Sequence, residues 1–359
     1  MAIKSKTSSR NVGVGSAPAT VTTRGFVTPD LGRMTALEAR QQLASFGAHF
    51  SVESLASAII DGDRVVFDLL LTAGVSPNGL ASRPGPVTPL FIAASVGQLE
   101  MADDLLAAGV KVDAPSTLGG RHGLTPLMGA IHHEKPDLVT FLLERGASPS
   151  KVDARGYSPL CHAVDNGSLQ LVRELLDGGA NIDGDGVAPI DRALFVDAPE
   201  IIALLIERRV SLDDIDERGN SPLYWALNNR PTLELVEQLL AAGAPVRSPI
   251  RPQYEHDILW VAARRGVEML ALLVKYGADL SARDARGWPL VVCASEWGAA
   301  SWLTPMLELG ANVNTPTVEG LTALDYAVAG RHIEVAQALL ARGATGSAET
   351  MARVASLLN

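Results

Sequence analysis

The chain has 359 residues, 47% of them hydrophobic and 19% charged, a balance that buries a core and excludes a wholly disordered polymer. Its 33 Gly and 21 Pro follow no three-residue period, which excludes a collagen-like rod. A formal charge of −10 excludes a chain-wide phosphate-binding surface, and two cysteines exclude a disulfide framework or a multi-cysteine zinc site.

In chain order, residues 1–29 hold no acid, four bases (Lys4, Lys6, Arg10, Arg24) and nine Ser or Thr. Setting those bases aside leaves −14 on the rest. No apolar stretch of signal-peptide length is present, so residues 1–33 are expected to form a disordered tail too polar to fold. A transit peptide or a specialised secretion signal has the same acid-poor, Ser-rich character. Residues 34–359 read as one domain. Thr35 and Glu38 have capping-box spacing, which predicts an N-terminal cap helix over about 35–47.

From residue 51 onward the chain repeats itself. An aliphatic pair followed by glycine recurs at Leu70-Leu71…Gly74, Leu105-Leu106…Gly109, Leu142-Leu143…Gly146 and Leu175-Leu176…Gly179. It returns at Leu239-Leu240…Gly243, Leu273-Val274…Gly277, Met306-Leu307…Gly310 and Leu339-Leu340…Gly343. Successive glycines are 35, 37, 33, 64, 34, 33 and 33 residues apart. The double interval hides a ninth unit, Leu205-Ile206…Arg209, with Arg209 in the glycine's place.

A second marker precedes each glycine by roughly 20 residues: Thr88-Pro89-Leu90, Thr125-Pro126-Leu127, Ser158-Pro159-Leu160 and Ser221-Pro222-Leu223. Ala188-Pro189-Ile190, Trp288-Pro289-Leu290 and Thr322-Ala323-Leu324 are weaker copies. A hydroxyl at the N-cap accepts an otherwise unbonded backbone N–H, and proline in the first helical position loses no bond the helix needs. The later glycine ends a second helix in the left-handed conformation. Each unit therefore reads as helix, turn, helix and extended link. Residues 288–307 carry a single charge, Glu296, but Pro289, Glu296 and Pro305 break that run, so no membrane span is expected there. A short helix over about 347–358 closes the far end.

This pattern resembles the ankyrin repeat, whose signature is Thr-Pro-Leu-His-x-Ala in a unit of about 33 residues. The resemblance covers about 51–345 and implies an all-α solenoid of about nine helix–turn–helix repeats between capping helices. The His after Pro-Leu is replaced throughout, by Phe91, Met128, Cys161, Asp191 and Tyr224 among others, which puts the family's His-mediated bonding between repeats in question.

Catalytic constellations are scarce, and no cofactor is expected. Gly13-Val14-Gly15 is half a dinucleotide fingerprint without its strand or helix. Asn181 to Gly186 imitates the start of a calcium loop, but Arg192 stands where the bidentate Glu should fall. His132, His133, Cys161 and His162 lie on adjacent first helices and are the one metal candidate, weighed against a buried Cys acting as a small hydrophobe. The chain is read as no enzyme, with a catalytic or metal-dependent groove between repeats as the reading from another class.

Surface remains. The resemblance implies that a partner protein binds the concave side, formed by link tips and first-helix ends. Mapped residue by residue, it selects Tyr157, Asp165, Asn166, Asn220, Asn228 and Asn229. His132, His133, Phe195, Val196, His256, Arg264 and Arg265 occupy equivalent places. Phe195 and Val196 are expected to be partly exposed as an apolar anchor. Two links exceed the period, 114–122 and 247–255. The second brings Arg247, Arg251 and Tyr254 near Arg264 and Arg265, a basic cluster suited to an acidic or phosphate-bearing partner. The expectation is a monomeric, non-catalytic protein-binding module that uses neither nucleic acid nor membrane. Only two cysteines and no disulfide framework fit a reducing, cytoplasmic setting, and six Lys against 24 Arg fit a GC-rich bacterial genome. Delivery of a secreted effector into a host cell by the tail is the alternative.

Overall fold

A computed structural model describes residues 34–82, 85–216, 218–246, 258–284 and 286–357. It begins with α1 (Ala36–Ser45) and continues with helix pairs. The first four pairs are α2 (Val52–Asp61) and α3 (Arg64–Thr72), α4 (Pro89–Val96) and α5 (Leu99–Ala107), α6 (Pro126–His132) and α7 (Pro136–Glu144), α8 (Pro159–Asp165) and α9 (Leu169–Asp177). The next three are α10 (Pro189–Val196) and α11 (Pro199–Glu207), α12 (Pro222–Asn228) and α13 (Leu233–Ala241), α14 (Ile258–Arg265) and α15 (Val267–Lys275). The last two are α16 (Leu290–Glu296) with α17 (Ala300–Glu308) and α18 (Ala323–Ala329) with α19 (Ile333–Leu340), followed by α20 (Ala348–Leu357). No described helix is long and apolar enough to cross a membrane.

The repeating markers do the local work expected of them. The Thr88, Thr125, Ser158 and Ser221 hydroxyls accept the N–H of Phe91, Met128, Cys161 and Tyr224 at 3.2–3.3 Å. Ala188 and Pro289 offer no such hydroxyl, and α10 and α16 start without a side-chain cap. At the other end of each unit one bond recurs, from the residue after the glycine back to the second helix: Val75 N to Leu70 O, Ala147 N to Leu142 O, Ala311 N to Met306 O and their equivalents. This six-residue closure needs a left-handed residue at its corner. Gly146 supplies it at φ 85°, and Arg209 is forced into the same region at φ 62°. An L side chain there costs about 1 kcal/mol.

First helices stack on first helices from α2 to α14, and α16 stacks on α18; second helices stack alongside. Between α14 and α16 the main contact shifts to α14 with α17. Three indoles fill that junction, Trp260 lying 5.1 Å from Trp297 and 5.7 Å from Trp302. A continuous apolar core runs from Ala39 to Ala344. No single pair could bury both its faces, so stability comes from stacking. At the ends, Thr35 and Glu38 form a capping box, the Thr35 N–H donating to Glu38 at 2.7 Å, and α20 packs on α18.

The fold is not purely helical. The long link 114–122 runs into a two-stranded antiparallel ribbon, β1 (Ser116–Leu118) and β2 (Arg121–Leu124). Gly119 and Gly120, at φ 57° and 79°, make its two-residue turn, which demands positive φ at both positions. The ribbon bonds to its neighbours through Thr117 N to Pro86 O and Ala154 N to His122 O.

Candidate protein interface

Three links share the pattern Asp-x-Arg-Gly, at Asp153, Asp216 and Asp284. In each, Oδ1 of the aspartate accepts two backbone N–H groups, those of Arg155 and Tyr157, of Arg218 and Asn220, and of Arg286 and Trp288, at 2.8–3.0 Å. The carboxylate thus serves as the template for a tight hairpin finger. Burial opposes ionisation of Asp153 and Asp284, but these backbone bonds and the following arginine outweigh it and hold both carboxyls below the ordinary range.

The fingers and first helices of the fourth to sixth units carry a row of alternating rings and guanidinium groups. Arg155 lies 4.4 Å over the Tyr157 ring. Arg192 sits 5.6 Å from Tyr157 and 4.7 Å from Phe195, and is held by an ion pair to Asp165. Phe195 stands 54% exposed and meets Trp225 edge to face at 6.3 Å. The Trp225 indole N–H donates to Asp216 Oδ2 at 3.2 Å.

Beside this row a cleft of about 740 Å³ opens between the fingers. Asp191, from the first turn of α10, lines it. Its Oδ1 is shielded from water and has no hydrogen-bond partner among the described residues. Burial, then the Asp216 and Asp214 carboxylates, push its acid strength down until its pKa reaches about 7.

The sequence-selected residues divide in two. Tyr157, Asp165 and Phe195 meet through Arg192 on one surface, while Val196 packs partly against the core. Other candidates turn inward. Asn166 Nδ2 donates to Ile131 O at 2.6 Å, Asn229 Nδ2 to Leu194 O at 2.7 Å, and Arg265 to Leu227 O at 3.0 Å and Asn228 O at 2.8 Å. His332 Nε2 lies 2.9 Å from Glu296 O in the same way. In all four, a side chain of one unit donates to C-terminal carbonyls of the preceding first helix. These links join neighbouring repeats despite the missing signature His.

Asn220 is pinned to Asp216 Oδ2 at 3.0 Å, and Asn228 Nδ2 is buried without a partner among the described residues. Arg264 stacks 5.3 Å over Trp302. Both described members of the expected basic cluster are therefore engaged within the molecule; Arg247, Arg251, Tyr254 and His256 lie outside the described residues. His132 and His133 are exposed and meet edge to face at 5.1 Å, whereas Cys161 donates its S–H to Val187 O at 3.2 Å. His162 Nε2 lies 3.3 Å from Asp153 Oδ2 without hydrogen-bond alignment, and burial lowers its pKa. Among the described residues no three His, Cys, Asp or Glu side chains converge on a metal position.

Arg192, Trp225 and Asp191 escaped the sequence reading as interface residues. A signal existed for Asp191: a carboxylate stands where other units place Phe91, Met128, Cys161 or Tyr224, and acids rarely enter such positions unpaired.

Stacked helix pairs closed by left-handed corners, with hairpin fingers along one edge, define a repeat-type interaction scaffold. Models for "Ankyrin repeats (3 copies)" match residues 55–153 and 259–350, and one for "Ankyrin repeat" matches 155–184, together more than half of the chain. The chain belongs to the ankyrin repeat family, whose repeats are protein-interaction modules. It is similar to ankyrin repeat protein nuc-2 of Neurospora crassa, 30% identical over 295 residues, covering 79% of this chain and 27% of that one. It is also similar to the B-cell lymphoma 3 protein homolog of Mus musculus, at 30% identity over 48% of this chain and 40% of the other. Phosphocholine transferase AnkX of Legionella pneumophila is 25% identical over 62% of this chain and 25% of its own length. The chain thus spans well under two thirds of these relatives. The solved ankyrin repeat domain of human ASB11 is 28% identical, with a TM-score of 0.45 over 73% of this chain and all of that one.

Proposed function

We propose that this protein is a non-catalytic, monomeric interaction module that binds a partner protein on the finger-and-helix face of its fourth to sixth units, as a scaffold, inhibitor or regulator. The observation that carries this reading is Phe195, a large ring 54% exposed at the centre of a guanidinium–aromatic row bordering an open cleft. Partly exposed aromatics and arginines framed by polar groups are the residue types that anchor protein interfaces. The test is quantitative capture by wild type and by Phe195→Asp with Tyr157→Ala, with circular dichroism confirming that the double variant folds. Loss of one stoichiometric partner supports the reading; undiminished capture of that partner refutes it.

A bacterial cytoplasm is the setting this proposal adopts, supported by the two free, buried thiols Cys161 and Cys293 and the Arg-over-Lys composition. The acid-free segment 1–29 favours a second reading, delivery into a host cell. Fusing that segment to a reporter and assaying export decides between them.

A further inference from the structure

We propose that the cleft among the fourth- to sixth-unit fingers receives a lysine or arginine side chain of the bound partner, its stem lying against Phe195 and Trp225 and its cationic head meeting Asp191. This deepens the docking reading above and rests on it.

Shape, surface and charge agree on that occupant. About 740 Å³ accommodates one long side chain with part of its backbone. Phe195 and Trp225, edge to face at 6.3 Å, offer ring surface to an aliphatic stem and ring face to a cation. Four carboxylates line the cleft, Asp183, Asp191, Asp214 and Asp216, against three arginines. Arg155 and Arg192 are held by Asp153 and Asp165, neither of which lines the cleft, so among the described residues Arg218 at the exposed edge is the one lining arginine with no acid pairing it from outside the cleft. An acidic side chain would meet surplus negative charge. An apolar one would leave the shielded Asp191 Oδ1 still without a donor, whereas an ammonium or guanidinium supplies both donor and charge.

The probes are the N-acetyl amides of lysine, arginine, norleucine and glutamate, titrated into the full chain. The readout is the indole N–H resonance of Trp225, assigned with Trp225→Phe. The proposal expects a saturable shift with lysine and arginine amides, at least about tenfold tighter than with norleucine amide, and none with glutamate amide. Asp191→Asn with Asp214→Asn should weaken the cationic probes about tenfold while leaving the fold intact, since both changes are isosteric. Equal response to norleucine and lysine, preference for glutamate, or no saturable response to any amide overturns it. Should the Phe195/Tyr157 variant lose its partner while the cationic amides fail, this inference falls and the docking reading stands. Should that variant keep its partner, the docking reading is the one that falls.

Discussion

Asp191 and Asp325 occupy the same place in two repeats, the third residue of a first helix, and meet opposite fates. Asp325 Oδ2 accepts the Thr322 N–H at 2.7 Å and the Thr322 hydroxyl at 3.0 Å, while Oδ1 accepts the Ser347 N–H at 2.7 Å. Burial opposes its charge, but bonds from Thr350, Thr322 and Ser347 prevail and bring its pKa to about 2. Asp191 follows Ala188, which has no hydroxyl, and faces Asp216 and Asp214 instead of donors. One carboxylate ties the last unit to α20; the other is left in a cleft at a cost. A repeat architecture thus holds the helix position constant and lets the neighbours decide whether a carboxylate supports the fold or faces outward.

The two largest expected effects fall on this pair, with opposite signs. Asp325→Ala removes a capping box and the bond to Ser347, and should destabilise by about 2 kcal/mol at neutral pH, read by urea denaturation. With its folded pKa below the unfolded value, this contribution is present above about pH 4 and lost as pH falls toward about 2. Asp191 has the opposite sign. Its folded pKa is raised, so the folded state holds a proton the unfolded chain has lost, and stability declines as pH rises from about 4 through about 7. Asp191→Asn should therefore stabilise by up to about 4 kcal/mol at pH 8 and by almost nothing near pH 4. Equal gains at both pH values would break the comparison.

Smaller changes sharpen it. Arg209→Gly should raise stability by about 0.5–1 kcal/mol, by relieving the one left-handed corner among the nine units that lacks glycine. Ala188→Thr restores an N-cap hydroxyl to α10 and should add about 0.5 kcal/mol, visible as a small rise in Tm.

The fold was legible because the units share two strong local devices, a hydroxyl-Pro start in four of them and a Gly stop in eight, and nine registers average out individual exceptions. Even Arg209 could be placed from its neighbours' spacing. The ribbon was less visible, though Gly119-Gly120 between short flanking segments carries a hairpin signal. The interface was legible only where a side chain is free of neighbouring units. Tyr157 and Phe195 could be picked from position alone, but Asn166, Asn229 and Arg265 occupy equivalent positions and cap a carbonyl 35 to 38 residues earlier. Spacing along one chain cannot separate an outward amide from one bonded to the unit before it. Asp191 was hidden for the complementary reason: its state is set first by burial and then by Asp216 and Asp214, and only stacking supplies either.

The most direct test follows the Asp191 carboxyl carbon by NMR from about pH 4 to about pH 9, with and without acetyl-lysine amide. Groups charged nearby include Arg192 on its own helix, Asp165 on α8, Asp183, Arg155, Asp214, Asp216 and Arg218 on the fingers, so Asp191→Asn and Asp214→Asn spectra provide the assignment. The account predicts a midpoint near 7 that falls when the cation binds, because the ionised form gains a partner. A midpoint near the ordinary aspartate value, or one the lysine amide leaves unmoved, would contradict it.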